Sequence, residues 1–411
     1  MAAPSLAPLR NKVFARFWVG SFISNVGTIM EQVALGIYVQ QRTGQAAWNG
    51  AVAALGFLPT ALLSPFGGVL ADRVSRRRLL VVTTTASLLL AAVMTAVVAT
   101  EHGAPLVLAA ISFGTGCANA LGWPAFQSML PDLVGTDELI AAVGLSNAQW
   151  NLARVVGPAL AGITVAVAGV TTALAVNTAS FLAVLGVLAV VQLPGTVSAT
   201  AGQRVFGAIA EGWRYVRHDP PLWTVLRVQA LNCVGASAYI GLIAAVARKV
   251  HGGGEGYTAV LSTAMGVGAV SAAFGLGGLV ARVGVRRVLA GATVAMPVMS
   301  VAYALAPSRA AAALALAALA FSYMCSMLAV SSLNQMRAPA ALRGRVLSIS
   351  TMALGLLYPI AVSVQGRLGD AVGLRKAIVA FALAHALVIA WVRVARPRFL
   401  APVGWPADRR V

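Results

Sequence analysis

Acidic side chains are scarce in this chain. Among 411 residues there are 11 Asp and Glu against 30 Lys and Arg, and the four charged types together make up only 10%. A soluble globular chain carries about 25%. With 59% of residues hydrophobic, folding in water would leave apolar patches far beyond what a soluble surface tolerates, so a soluble domain is excluded. Cysteine is scarce too. Cys117, Cys233 and Cys325 each fall in a different apolar stretch, without the spacing of metal ligands or of a disulfide framework, and read as small packing residues. No metal-ligand cluster, catalytic triad or phosphate-binding loop is found. The glycine-rich segment GGGEG at 252–256 lacks the lysine such a loop needs. An enzyme, an ATP-driven pump, a cofactor and a bound metal are therefore not expected. Nor is a cleavable signal peptide, because the first apolar stretch, preceded by Arg10, Lys12 and Arg16, is too long for one.

What the chain has in abundance is long apolar runs. Twelve can be marked, at roughly 17–40, 48–71, 79–100, 105–129, 139–168, 172–193, 223–247, 257–281, 288–307, 310–335, 346–366 and 376–395. Each is near the ~20 residues that carry a helix across a bilayer. They are too long and too continuously apolar for barrel strands, which alternate over about 10 residues. The fold class expected is an all-α membrane protein of 12 transmembrane helices. The net charge of +19 is not a nucleic-acid signature, because the basic residues sit at span ends and form no separate basic domain. Most lie at the ends shared with the N-terminus, which assigns both termini to the cytoplasm.

The runs divide into halves. Residues 1–193 form an N-terminal bundle of six helices, and 223–411 a C-terminal six-helix bundle with a basic tail. Between them, 194–222 is a cytoplasmic amphipathic linker, with Phe206, Ile209, Trp213 and Val216 at helical spacing and Pro220-Pro221 closing it. The halves repeat. GGVLADRVSRRRLL from Gly67 is echoed by GGLVARVGVRRVLA from Gly277, and Gln127 and Pro131 are echoed by Gln335 and Pro339, at matching places in the span order. Two six-helix halves with a midplane site between them are a transporter architecture.

GGVLADRVSRRRLL resembles the loop 2–3 signature of the major facilitator superfamily, G-x-L-A-D-R-x-G-R-K-x-x-L. Gly68, Leu70, Ala71, Asp72, Arg73, Arg76 and Leu80 match, while Ser75 and Arg77 replace Gly and Lys. ARVVGPALAG at 153–162 resembles the span 5 motif of the antiporter branch, keeping Gly157, Pro158 and Gly162. The nearest group it is similar to is the bacterial exporters of the enterobactin-exporter and macrolide-efflux kind. The resemblance implies that Asp72 faces the N-terminus of span 11 in a clasp closing the cytoplasmic side, where a helix dipole favours a carboxylate. It also implies that the small-residue stripe of span 5 limits leak. Gly157-Pro158 invites a kink there. Loop 4–5 is acidic (Asp132, Asp137, Glu138) and loop 10–11 basic (Arg337, Arg343, Arg345), a charge pairing suited to an inter-half gate.

Two ionisable residues lie well inside spans, Glu31 in span 1 and Arg154 in span 5. Such residues are costly in a bilayer and face a cavity or each other. Around them run polar stripes: Ser21, Asn25, Thr28 and Gln32 on span 1; Gly116, Asn119, Trp123 and Gln127 on span 4; Asn147, Asn151 and Arg154 on span 5. These should line one water-accessible cavity. Glu31 and Arg154 are the candidate proton-coupling pair. Three roles stay open for Glu31: a coupling or substrate group, a structural ion pair with Arg154, or an acid placed near one end of its span. In the family an acid in span 1 recurs as a coupling residue. The C-terminal half adds Asn232, Tyr239, Tyr323 and Gln335 to the cavity. His385, alone in span 12, reads as packing.

The function expected is proton-driven export of a hydrophobic or amphipathic small molecule such as a drug, siderophore or metabolite, by alternating access. The chain would be a monomer in the bacterial inner membrane, with protons and a small-molecule substrate as partners, lipid around it, and no nucleic acid. A proton-coupled nutrient importer and a non-transporting membrane sensor are the competing readings.

Overall fold

The computed structural model describes residues 6–134, 138–190, 205–339 and 342–395. Among them the chain is helical, with a short 3-10 turn at Ala7–Arg10 and fourteen α-helices. In the N-terminal half these are α1 Lys12–Thr43, α2 Ala46–Arg73, α3 Arg76–Ala99, α4 Pro105–Val134 and α5 Leu139–Val190. Then follow α6 Val205–His218, α7 Pro220–Ala236, α8 Ala238–Gly241 and α9 Ile243–Lys249. The chain continues with α10 Glu255–Val283, α11 Val285–Ala304, α12 Arg309–Arg337, α13 Arg343–Val372 and α14 Leu374–Ala395. In hydrocarbon every backbone polar group must find its partner within the segment, and a helix is the way an isolated span does so.

Ten helical segments are long and apolar enough to cross a membrane. Two departures from regular helix account for the difference from the twelve apolar runs. Runs 139–168 and 172–193 both lie in α5, whose backbone leaves helical geometry at Gly169 (φ 81°, ψ 170°). There the positive φ is one that glycine alone adopts without strain. Pro158 lies inside the first limb with helical dihedrals, and the non-helical residue of α5 is Gly169. The seventh run is divided among α7, α8 and α9, with Ser237 and Leu242 at the joints.

Turn chemistry sets the ends. Asn11 caps α1, accepting from the amides of Val13 and Phe14, and its own amide donates to the Leu133 carbonyl at the end of α4. Gly44 closes α1 in the left-handed region. Asp219 caps α7, with prolines in its first turn where no amide partner is needed. The end of the bundle bearing Asn11 and the α2–α3 turn is called the near face below, and the opposite end the far face.

The outward surface is apolar. Leu89, Val167, Phe274, Leu314 and Leu387 are all more than half exposed, as suits a chain whose solvent is lipid. Helices of each half pack chiefly on one another, and α2 against α13 and α5 against α10 join the halves. These seams run through glycines. A Cβ on Gly50 would lie 2.8 Å from the Val362 carbonyl oxygen, and one on Gly355 2.6 Å from the Ala61 Cβ. One on Gly266 would overlap the Arg154 carbonyl. Small residues permit such backbone approach between membrane helices.

Candidate functional site

α1 is held between the two limbs of α5. On one side Ile29 and the Val26 carbonyl meet Gly157, with Ala153 and Ala161 fully buried against Val26 and Met30. On the other, Gly20 and Gly27 lie against Ala183, Asn177 and Ser180. Glu31 falls on this second face, one helical repeat beyond Gly20 and Gly27. Its Oε2 accepts a hydrogen bond from the Asn177 amide. Ser180 Oγ is within 2.7 Å of the Asn177 carbonyl oxygen and 3.3 Å of its Oδ1, so donation from this hydroxyl steadies the amide that holds the acid. Glu31 lies deep in the bundle yet keeps partial accessibility. That combination marks a residue lining an internal space.

Arg154 is placed in the same way, deep but partly accessible. The two do not pair. Among the described residues the ion pairs are Arg76–Asp132, Lys249–Asp370, Arg337–Asp219 and Arg345–Glu211. Arg154 instead stacks over Trp150, its guanidinium carbon 5.7 Å from the ring centroid. From the opposite half Tyr239 and Tyr323 come within electrostatic reach of it. The physical reason is angular: Glu31 is turned to the second limb of α5, whereas Arg154 on the first limb faces the seam between halves.

Around Arg154 runs an aromatic wall. Trp123 of α4 lies 6.2 Å from Trp150 and 5.5 Å from Phe126 between ring centroids. Across the seam Tyr239 and Tyr323 meet edge to face at 5.3 Å, and Phe57 and Tyr358 do the same at 5.3 Å. Asn119, Trp123 and Gln127 share the exposed face of α4, and the Trp123–Trp150 contact turns that face toward the polar face of α5. Asn147 is exposed there, and Asn151, half-buried, donates to its carbonyl. Gly116 does not belong to this face, because it packs on Gly56 and Pro59 of α2. On α1, Asn25 and Thr28 are half-buried and Gln32 is exposed, with the Thr28 hydroxyl donating to the Ser24 carbonyl.

Several expected cavity or gate residues are placed elsewhere. Asn232 is wholly buried, and its amide donates to Thr293 Oγ1 at 2.9 Å and Ser326 Oγ at 2.8 Å. It ties α7 to α11 and α12 inside the C-terminal half, because an amide buried in an apolar bundle must find partners on neighbouring helices. Gln335 is exposed and donates to Ser331 on its own helix. His385, expected to pack and not to line the cavity, is 3% exposed and lies against Gly235.

The clasp expected of the motif after span 2 rests on Asp72, whose side chain lies outside the described residues, as do the surroundings of Gly68, the side chains of Arg73 and Arg343, and Asp137. Arg76 binds Asp132 at 2.7 Å and the Ser128 carbonyl at 2.9 Å, both on α4. Gly67 packs on Ala120 and Leu121 of α4 as well. Thus Gly67 brings this end of α2 to α4, while Gly355, Gly50 and Gly366 bring α13 against the middle and the start of α2. Asp137 and the side chain of Arg343 apart, the facing charges have these partners among the described residues. Asp132 is taken by Arg76, Arg337 by Asp219 and Arg345 by Glu211, each a nearer partner along the chain's own half or linker.

The far face has a clasp that the sequence did not announce. Asp370, at the end of α13, accepts from the amides of Ala46 and Ala47 at the start of α2, at 2.9 and 2.8 Å, and pairs with Lys249 at 2.6 Å. Gln41 on α1 donates to Glu255 on α10 beside it. Sequence reasoning also passed over Trp150, one turn before Arg154, and Asn177, a lone amide in the apolar run ALAVNTASF. Both were legible as polar or aromatic interruptions at helical spacing from a charged residue or within a span.

This architecture, with polar and aromatic groups gathered at the seam of two helical bundles, defines a multi-pass membrane transporter of major facilitator type. It matches the nucleoside transporter NupG with a TM-score of 0.78 over 95% of this chain and 100% of that one, at 12% identity, a likeness of fold. The chain belongs to the family described as transmembrane secretion effector (MFS_3), whose model matches residues 3–401. Among curated proteins it is similar to macrolide efflux protein A of Streptococcus pyogenes, 24% identical over 220 residues, covering 53% of this chain and 54% of that protein. It is also similar to the staphyloferrin A transporter of Staphylococcus aureus (strain NCTC 8325 / PS 47), 27% identical over 171 residues, 41% and 43% of the two chains. These matches span about half the length of the curated relatives. Family and neighbours are transporters of bacterial membranes, not enzymes.

Proposed function

We propose that the protein is a secondary active exporter that moves a hydrophobic or amphipathic small molecule out of the cell in exchange for protons. It would work as a monomer by alternating access between two halves, 1–193 and 223–411, linked by 194–222. The near face, which carries most of the basic residues, would lie in the cytoplasm. The observation that carries this reading is Glu31. It is an acid deep within a span, held by one neutral amide and partly open to the internal space, as a group that takes up and releases a proton must be. Among the described residues no other Asp or Glu lies as far inside a span. Export is favoured by membership of a secretion family and by relatives named for macrolide efflux and siderophore transport.

The test is cellular accumulation of amphipathic dyes in a host lacking its own efflux pumps. Expression should lower accumulation of at least one dye, and a protonophore should restore it. Raised accumulation on expression would identify an importer. Lowered accumulation untouched by the protonophore would remove proton coupling.

A further inference from the structure

Arg154 brings a positive charge into the centre of the bundle, and no carboxylate stands beside it. Its neighbours are the ring of Trp150 and the phenols of Tyr239 and Tyr323. Glu31 is turned away to Asn177, and among the described residues Arg154 joins no ion pair. A guanidinium removed from water loses more than a cation–π contact returns. The charge therefore awaits an anion. A guanidinium offers five donors in a planar fork that fits a carboxylate with two parallel hydrogen bonds. Aromatic pairs from both halves lie around it: Trp123 with Trp150, over which it stacks, and Tyr239 with Tyr323, within its electrostatic reach. Such rings give a flat apolar body a broad contact surface.

We propose that the cargo carries an anionic group, a carboxylate or its equivalent, which docks on Arg154 while an apolar or aromatic body lies between the Trp150 and Tyr239–Tyr323 walls. The proposal rests on the transporter reading and narrows its substrate class. A cationic amphipath is disfavoured at this position, since its amine would approach a like charge in a medium of low dielectric. The arrangement also gives the two buried charges separate duties. Arg154 recognises cargo, and Glu31, on another face of α1, stays free to handle the proton.

The experiment is equilibrium binding to the full chain in detergent, read as energy transfer from tryptophan to dansyl probes. Three probes share one ring system and differ in charge: dansylglycine (anionic), dansylglycinamide (neutral) and dansylcadaverine (cationic). The acid should bind at least about tenfold more tightly than the amide, in line with a charged hydrogen-bonded contact, and the amine most weakly. Arg154→Gln should erase the advantage of the acid while leaving amide affinity within about threefold, which also shows the variant is folded. Arg154→Lys should keep part of it. The order among the three probes in the unaltered protein decides the matter even if a variant fails to fold. An amine that binds as well as the acid, an acid advantage that survives Arg154→Gln, or no binding of any probe would overturn the proposal. Binding needs no proton gradient. Preference for the acid without proton-coupled transport would sink the exporter reading alone, and proton-coupled transport without that preference would sink this inference alone.

Discussion

Asp370→Ala should loosen the far face. In the structure this carboxylate caps α2 through two backbone amides and pairs with Lys249, so one side chain joins α13, α9 and the first turn of α2. A capping carboxylate is worth about 0.5–2 kcal/mol. The ion pair is partly exposed, with side-chain accessibilities of 32% and 23%, and so adds only about 0–1 kcal/mol. Together the loss is about 0.5–3 kcal/mol, which shifts a two-state equilibrium by a factor of about 2–160. Asp370→Asn keeps an acceptor for the cap and loses the charge, and Lys249→Gln loses only the ion pair, so both should shift it less. Spin labels on Gln45→Cys and Lys376→Cys, exposed positions on either side of the seam, report the distance by pulsed electron resonance, with Cys117 replaced by Ser. The unaltered clasp should give one short distance, and Asp370→Ala should add a longer population. A distance distribution unchanged by Asp370→Ala, or changed as much by Lys249→Gln, would refute the capping argument.

Two further outcomes follow from the placement of other residues. Asn232→Ala removes two buried hydrogen bonds and should cost about 1–2 kcal/mol, seen as a lower melting temperature, while binding of a transported compound stays unchanged; a large loss of affinity would return Asn232 to the cavity. His251, in the far-face loop between α9 and α10, is held below the ordinary histidine value by burial and by nearby Arg375. It meets Tyr257 edge to face and Tyr303 at a tilt, and its backbone carbonyl accepts from Arg309. The unfolded chain therefore takes up the proton first as pH falls, so stability present above about 6.5 is lost below it. The melting temperature should fall more steeply from pH ~7.5 to ~5.5 in the unaltered protein than in His251→Gln, and parallel curves would contradict this.

Much of the fold was legible because lipid imposes a simple rule: a span must be long, apolar and helical. The apolar runs followed from that rule, and the motifs after span 2 and in span 5 were matched by resemblance to a family. The two departures were local. Gly169 lies between two equally apolar runs, and its non-helical backbone divides α5 into the two limbs that flank α1. At span 7 the sequence carries no proline at Ser237 or Leu242 to warn of a broken helix. The polar stripes of spans 4 and 5 could be read from spacing alone, and the Trp123–Trp150 contact turns them toward each other. Which polar residue meets which was not legible, because a 3.6-residue period fixes a face of a helix and not the neighbour across it. Hence an ion pair with Arg154 stayed open among the roles of Glu31, and Asn177 on the second limb of α5 takes it. Likewise Asn232 was read as cavity-lining, although Thr293 and Ser326 enclose it. The Asp370 clasp was hidden for a different reason. It joins a side chain to backbone amides on a distant helix, and backbone partners leave no mark in the sequence.

The most direct measurement is proton movement in vesicles holding the purified protein, comparing the unaltered chain with Glu31→Gln while a panel of amphipathic acids and neutral compounds is added. The expected result is compound-triggered proton flux in the unaltered protein and none in Glu31→Gln, with melting and compound binding preserved in both. Equal flux in the two proteins would contradict the assignment of coupling to Glu31, and the absence of flux with every compound would contradict proton exchange itself.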